Sequence, residues 1–511
     1  MKWFKKSTPN PIQKKNQSVI SSNISVNIDS LNKIFNNSSD LVIGKLVIMK
    51  NTKEAAIAYI RGMVDRAYIE KFIIDRLIQS NNDTMKDIPE YKKLDVIKTN
   101  MLNIVQSYET DNMDLLVDAL FEGNTVLFVE DTPYAHIIFS AGFEKRSVEK
   151  PDLEISLHGA KDSFTESIRT NFALLIRRLP VASLKFKEYR LGRLSRTQVY
   201  VCWLEGIADD ETVRELCRRL DSIDVDCIST INMIAELIED NTLSLWPQYK
   251  NTERPDVVAP NLAEGRIAIL ADGFPFSLIV PIMIFQELQS IDDYAQKPVI
   301  ASFARLIRYL GAIISMTASS IYLAFVAYNH TVIPAELAIR ISSGREGVPF
   351  PSIIEILLMT LMIDLLREAG LRLPMALGSA ISILGAVVIG QAAVEAGYFS
   401  PSVIIIISIS AIASYVIPDT NLANALRLVN YFLIIMAGIF GIFGIICAMV
   451  FLIWTIVRGR SFGVDIGYPV DTGKAGKLKD ILIRAPFRSL TKRPEMLEPQ
   501  NSIRISTRKR S

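Results

Sequence analysis

The pattern of hydrophobic and polar positions divides the chain into two halves. Over residues 41–245, short apolar stretches with strand character alternate with stretches whose apolar residues recur at helical spacing. The alternation is typical of a mixed α/β fold, and a break at residues 149–151 separates two lobes that are each large enough to bury a core. The predicted strands are 45–49, 125–129, 135–140, 184–189 and 198–204, and the predicted helices are 65–79, 111–121, 162–178, 211–220 and 231–240.

Long apolar segments dominate the second half. Residues 428–457 form an uncharged run of 30 residues that ends against two arginines. A helix needs about 20 apolar residues to cross a bilayer, and basic residues are typical of its cytoplasmic end. Residues 306–328, 374–394 and 402–418 are also apolar enough, so the sequence predicts an all-α polytopic membrane domain with four crossings.

Two further segments have a less regular pattern. Residues 267–288 are apolar but interrupted by turn-forming residues, and residues 353–366 are short and contain two carboxylates. Such segments are more often re-entrant or interfacial than spanning. Counting both gives six crossings and counting neither gives four, so the prediction is four to six. Either even number places both chain ends on the same side of the membrane.

Charge distinguishes the two ends from the interior. The chain of 511 residues has 56 Lys and Arg and 54 Asp and Glu, which gives a formal net charge of +2. Residues 1–15 carry +5, residues 458–511 carry +8, and the interior therefore carries −11. Basic ends favour the anionic lipid surface of a cytoplasmic leaflet. A nucleic-acid partner is not expected, because neither end interleaves aromatic residues with its charges.

These patterns together predict five regions. Residues 1–40 are expected to be a disordered tail, since the lysines are followed by Ser and Asn rather than by the apolar core of a signal peptide. The others are a first cytoplasmic α/β lobe (41–150), a second lobe (151–250), the membrane domain (251–457) and a basic cytoplasmic tail (458–511).

No pattern of catalytic or metal-binding residues is present in the sequence. The four cysteines have no CxxC spacing and lie far from the three histidines, so neither a zinc site nor a cofactor is expected. Phosphate-loop, GxSxG and HExxH motifs are absent as well, and we expect no enzyme. The string GAKDSF (159–164) resembles a phosphate-binding turn, but a capping box with Ser163 as N-cap and Glu166 explains it more simply.

Small residues recur every fourth position within the predicted span 374–394. They form a stripe along one helix face, which is typical of close helix packing and is also compatible with a pore lining. Gln391 and Glu395 follow on a neighbouring face, and we predict that they lie at the mouth of a cation pathway. The stripe consists of Gly378, Ser382, Ala386 and Gly390.

Ionisable residues inside apolar segments are costly and usually face a cavity or a partner. Glu355 and Asp364 are nine residues apart, on opposite faces of a helix, and both are candidates for the ion pathway. Asp364 and Arg367 are three residues apart and can pair with each other. Glu355 has no obvious local partner.

The string LADGFPF (270–276) has two interpretations. Asp272 caps a half-helix that is broken at Gly273 and Pro275, or these three residues form a hinge that transmits motion from the soluble lobes to the membrane. The cap is favoured, because Asp-Gly favours turns and proline ends helices.

Several strings resemble one family, the A subunits of spore germination receptors (GerA/GerABKA). They are GAKDSFTESIRTNFALLIRRL (159–179), TERPDVVAPNLAEGRIAILADGFPFSLIVP (252–281), SAISILGAVVIGQAAVEAGYFSP (379–401), and YPVDT with LKDILIRAPF and KRPE (468–495). They occur in the family's order over about 340 residues.

The resemblance implies an integral protein of the inner membrane of dormant bacterial spores. It also implies two partners, a transporter-like B subunit that binds nutrients and a lipoprotein C subunit. The A subunits are expected to assemble into an oligomeric, nutrient-gated cation channel.

Two other functions remain open from the sequence. One is a secondary transporter of ions or small metabolites, which is disfavoured because the interrupted segments have no counterpart after residue 402. The other is a signalling scaffold that does not conduct ions.

Overall fold

The computed structural model describes residues 19–35, 40–48, 53–75, 107–142, 151, 154, 156, 158–372, 390–468 and 480–504. The chain divides into two compact units. The first, here called the sheet unit, comprises Met1–Glu239, Tyr249–Pro281 and Leu490–Ser511; the second, the helical unit, comprises Asp240–Gln248 and Ile282–Ser489.

The sheet unit contains two antiparallel five-stranded sheets, ordered β1-β2-β4-β5-β3 and β6-β7-β9-β10-β8. They confirm the predicted α/β architecture of the first half. The strands are β1 (Leu41–Ile48), β2 (Lys53–Ile60), β3 (Ser107–Thr110), β4 (Thr125–Val129), β5 (Ala135–Ile138), β6 (Leu184–Leu191), β7 (Thr197–Leu204), β8 (Lys250–Thr252), β9 (Ile267–Ala271) and β10 (Ser277–Val280).

Helices cover the sheets, and one hydrophobic core includes residues from both. Phe128 of the first sheet and Leu270 of the second belong to it, together with apolar side chains of the helices. The helices are α1 (Ile24–Ile34), α2 (Arg66–Tyr68, continued by a π-helical turn, Ile69–Ile74), α3 (Met113–Phe121), α4 (Ile168–Arg178), α5 (Asp210–Asp221), α6 (Ile231–Ile238) and α7 (Pro255–Glu264).

Residues 267–288 do not form a membrane helix. Strands β9 and β10 pair with each other across a tight turn, and every residue of both is buried. Buried central strands are apolar on both faces, so their composition resembles that of a membrane segment. The predicted boundary at residue 250 therefore falls inside the sheet unit. The chain returns to this unit at Leu490.

The helical unit is a bundle. Of its described helices, α9 and α14 are long and apolar enough to cross a membrane, and α13 is a shorter apolar helix. The predicted segment 353–366 lies in α11, whereas most of the predicted span 374–394 lies outside the described residues. The elements are α8 (Asp292–Ala295), α9 (Pro298–Ala327), α10 (Ala335–Gly344), α11 (Ser352–Arg372), α12 (Gly390–Glu395), α13 (Pro401–Ser414), α14 (Thr420–Arg458), β11 (Arg460–Ser461) and β12 (Val464–Asp465).

Helix α14 folds back on itself at Gly441. The ring centroids of Phe432 and Phe451 are 6.1 Å apart, whereas 19 residues of straight helix would separate them by about 28 Å. Gly441 has φ +59° and ψ −141°, a conformation that is essentially restricted to glycine. The Tyr328 hydroxyl donates to the carbonyl oxygens of Gly438 and Ile439 at this turn. The single span predicted over 428–457 is therefore a helical hairpin.

Candidate functional site

Glu355 lies in the first turn of α11 and is completely buried. Its Oε1 accepts hydrogen bonds from the backbone N–H and the hydroxyl of Ser400, at 2.6 and 2.7 Å. Ser400 is the N-cap of α13, so the carboxylate lies at a helix N-terminus, where the unpaired N–H groups favour negative charge. The tertiary fold thus supplies the partner that the local sequence lacks.

The second oxygen of Glu355 has an incomplete environment. Glu355 Oε2 lies 3.7 Å from Nε of Arg345, a residue just beyond the end of α10. Both atoms are buried and make no hydrogen bond within the described parts of the chain, and the same is true of the hydroxyls of Ser319 and Tyr322 on α9. A buried carboxylate beside a guanidinium nitrogen with which it makes no hydrogen bond, inside an apolar bundle, is the kind of ionisable group that usually has a functional role.

Asp364 lies further along α11 and pairs with α14. Its Oδ2 accepts a hydrogen bond from the Tyr431 hydroxyl at 2.7 Å, and its Oδ1 is 3.7 Å from Nη1 of Arg427. Arg367 instead donates to the Ser414 hydroxyl at 2.8 Å and stacks on Tyr415. The pairing of Asp364 with Arg367 that the spacing allows therefore does not form, because partners on α13 and α14 reach the two side chains.

Asp364 also lines a small, mainly apolar cavity between α9, α11, α13 and α14. Its volume is about 30 Å³, enough for about two water molecules. The carboxamide oxygen of Asn430, a residue that is 5% exposed, has no hydrogen-bond partner among the described residues. The other polar residues of its lining are Ser315, Thr360, Ser410, Ser414 and two arginines, Arg367 and Arg427.

The structure places Gln391 and Glu395 on the short helix α12. The Gln391 carboxamide donates to Oε1 of Glu395 at 3.0 Å, and both side chains are exposed. An exposed carboxylate of this kind is available to solvent ions. Of the small-residue stripe, Gly390 is buried at the start of α12, and Gly378, Ser382 and Ala386 lie outside the described residues.

Two of the strings that carry the family resemblance pack against each other in the sheet unit. Arg254 is 1% exposed and forms a bidentate pair with Asp256, and it also donates to the Ala160 carbonyl at 3.0 Å. A Cβ on Gly159 would collide with this guanidinium. The GAKDSF turn is thus fitted around a buried arginine.

The predicted capping box at Ser163 is wrong. Helix α4 begins at Ile168, and its N-cap is Ser167, whose hydroxyl accepts from Thr170 N–H. The preceding residues are held in a loop by Asn171, which exchanges hydrogen bonds with the backbone of Thr165. This loop keeps residues 164–167 out of the helix.

Asp272 and Gly273 form the turn between β9 and β10, so the half-helix interpretation is also wrong. Asp272 Oδ1 accepts from the N–H of Ile168 at 3.1 Å, and Gly273 N–H donates to the Glu166 carbonyl at 2.7 Å. The turn therefore caps the start of α4, a helix that lies about a hundred residues earlier in the chain. Pro275 follows in the same turn.

Sequence reasoning missed a buried charge network at the start of α9. Asp293, which is 2% exposed, accepts from Arg305 at 2.8 Å and from Arg308 at 2.9 Å, and Arg305 also donates to the Asp480 carbonyl. Burial alone would raise the pKa of Asp293, but the two arginines outweigh it and hold the pKa below its ordinary value. The sequence feature that could have indicated this network is the presence of two arginines near the start of an otherwise apolar helix.

The described residues contain no group of three His, Cys, Asp or Glu side chains that could hold a metal ion. All four cysteines are free thiols, and they are Cys202, Cys217, Cys227 and Cys447.

Comparison with known proteins identifies relatives along nearly the whole chain. Residues 29–496 match the family described as Bacillus/Clostridium GerA spore germination protein. Spore germination protein KA of Bacillus subtilis (strain 168) is 36% identical over 497 residues, which cover 96% of this chain and 90% of that protein. Spore germination protein GerLA of Bacillus cereus is 34% identical over 472 residues, with 92% and 95% covered.

A solved structure is also similar. The crystal structure of the N-terminal domain of the A subunit of the Bacillus megaterium spore germinant receptor GerK3 aligns at 34% identity and a TM-score of 0.41, covering 52% of this chain and 97% of that chain. The family match extends through both units, and the relatives are covered almost end to end. The chain therefore belongs to the GerA family of spore germination proteins.

Proposed function

We propose that this chain is the A subunit of a nutrient-responsive germination receptor in the spore inner membrane, and that it forms an oligomeric, nutrient-gated cation channel. The observation that carries the proposal is that two carboxylates lie within an apolar bundle: Glu355 accepts from the Ser400 hydroxyl, and Asp364 accepts from the Tyr431 hydroxyl and lines a small cavity. Carboxylates in such positions favour cations over anions. The proposed partners are a transporter-like, nutrient-binding B subunit, a lipoprotein C subunit and further copies of this chain.

The hairpin in α14 bears on the proposed membrane topology. Its two arms on either side of Gly441 contain 21 and 17 residues, and each is within the range of about 17–25 that spans a bilayer. With α9, α11, the predicted span 374–394 and α13, the two arms bring the number of crossings to six. An even number keeps both basic ends on the core side, in agreement with their attraction to anionic lipid.

The cation pathway is tested by replacing its carboxylates one at a time. Liposomes that contain only this subunit are expected to conduct monovalent cations, and Glu395→Gln is expected to lower the preference for cations over anions by about tenfold or less, because a single exposed charge is removed. Reversal potentials in asymmetric potassium chloride measure the change. Glu336→Gln, an exposed carboxylate on α10 outside the pathway, is the control.

Three outcomes separate the candidate functions. Unchanged selectivity and conductance in Glu395→Gln would remove that residue from the pathway. Saturable, substrate-coupled exchange without channel conductance would favour a transporter. Complete absence of flux would leave a scaffold that acts through its partners.

We propose further that Asp272, Gly273 and Pro275 form a coupling hinge. Gly273 has φ +86° with open space around it, so Gly273→Ala adds backbone strain of about 1–2 kcal/mol without a steric collision. We expect slower germination at unchanged protein abundance, measured as loss of spore optical density after nutrient addition. Gly206→Ala is matched in φ (+76°) and in open space. Equal rates in the two variants would argue against coupling at Gly273.

A further inference from the structure

We infer that Arg345 is a tethered cation that occupies the Glu355 carboxylate in the closed state, and that a free monovalent cation takes its place when Arg345 withdraws. The inference rests on the proposed cation pathway and assigns the residue that closes it. It concerns only the helical unit, where α9, α10, α11 and α13 bring together all the groups involved.

Arg345 and Glu355 attract each other without being locked together. The Nε–Oε2 distance is 3.7 Å, whereas charge-assisted hydrogen bonds of this type are about 2.7–2.9 Å long. Neither atom has a hydrogen-bond partner in the described parts of the chain. Arg345 therefore neutralises the carboxylate but makes no directional bond through these atoms that would hold it in place.

The surroundings of Glu355 Oε2 suit a small cation. The hydroxyl oxygen of Tyr322 on α9 is buried without a well-formed hydrogen bond among the described residues, and the hydroxyls of Ser400 and Ser402 lie close to it. Tyr322 is within electrostatic range of both Glu355 and Arg345. A carboxylate together with neutral oxygen atoms is the set of ligands that hard cations prefer.

The segment that carries Arg345 is only lightly anchored. Arg345 immediately follows α10, and no residue of α10 is buried. Gly347, two positions later, has φ +95° with no atom near its missing Cβ. Withdrawal of Arg345 therefore breaks few buried contacts, as is usual for elements that move in gating. Its main cost is the uncompensated carboxylate, which an incoming cation removes.

The test compares four variants of the full-length chain in potassium-loaded liposomes. Arg345→Gln is expected to raise the basal potassium flux by about tenfold, the size of a typical coupling between two sites. Arg345→Lys keeps the tethered charge and is expected to stay near the wild-type flux. Arg340→Gln removes an exposed charge from α10 and serves as the matched control. Adding Glu355→Gln to Arg345→Gln is expected to abolish the increase.

A second measurement reads cation binding without relying on conduction. Potassium is expected to raise the melting temperature of Arg345→Gln in detergent relative to N-methylglucamine at equal ionic strength, and to leave the wild type and Arg340→Gln unchanged. If the wild type conducts potassium and Arg345→Gln conducts no more than Arg340→Gln, the inference is overturned, whereas the proposed channel is not. No flux in any variant would contradict the proposed channel. If potassium still stabilised Arg345→Gln specifically, the competition between potassium and Arg345 at Glu355 would stand. If potassium gave no such stabilisation, both the channel and the competition would be contradicted.

Discussion

Replacing Gly441 with alanine is expected to remove most of the protein from the membrane. The backbone conformation at Gly441 costs a non-glycine residue about 1–3 kcal/mol. A Cβ there would also lie 3.1 Å from Cγ of Tyr328, and overpacking of this kind typically adds about 1–3 kcal/mol. The sum, about 2–6 kcal/mol, is comparable to the whole stability of a typical domain. Membrane abundance and the melting temperature in detergent measure the effect.

Substitutions at two other glycines separate the cost of the backbone conformation from the cost of the steric contact. Gly397 has φ +68° and open space, so Gly397→Ala carries the conformational cost alone. Gly344 has no positive φ, and a Cβ there would lie 3.8 Å from Cδ of Pro401, so Gly344→Ala is expected to be neutral or slightly stabilising in helix α10. Wild-type abundance and melting temperature in Gly441→Ala would contradict the hairpin.

The second large effect is expected from Asp293→Asn. The substitution leaves Arg305, which is completely buried, and Arg308 without their shared carboxylate, and breaking a buried ion pair on one side typically costs about 3–5 kcal/mol. Glu368→Gln breaks an exposed pair with Arg372 on a single helix and is expected to cost at most about 1 kcal/mol. Thermal unfolding in detergent compares the two variants, and equal melting temperatures would show that the network adds no stability.

The same network makes a prediction about pH. The pKa of Asp293 lies below its ordinary value of 3.8, so its contribution to stability is present above that value and is lost as the pH falls through the lowered pKa. Asp293→Asn lacks this contribution at every pH. The difference in melting temperature between wild type and variant is therefore expected to shrink as the solution is acidified below pH 4. A difference that stays constant would show that the charge of Asp293 is not the cause.

The hairpin illustrates how far a sequence pattern reaches. The uncharged run of residues 428–457 identified an apolar helical element, and its length, well beyond the roughly 20 residues of one crossing, was the signal for a reversal. The position of the reversal depends on Gly441 and on the Tyr328 hydroxyl, which comes from another helix. A contact across more than a hundred residues leaves no local periodicity to read.

For the buried carboxylates too, the sequence identified the residues but not their partners. Glu355 and Asp364 stand out in the sequence because charges inside apolar segments are rare. Their partners could not be read in the same way: Ser400 lies on a later helix, and Tyr431 lies later still. Helical spacing suggested Arg367 for Asp364, and competition from Ser414 and Tyr415 decided otherwise.

The sequence by itself determined the α/β and helical halves of the chain, most of the strands of the first half, the apolar helices and the family, because these follow from local periodicity, composition and recognisable strings. Only the tertiary structure decided that residues 267–280 are strands, that α14 is a hairpin, and that Asp272 caps α4. The physical reason is that burial and hydrogen bonding depend on which distant segments meet, and an apolar run has the same composition whether protein or lipid surrounds it.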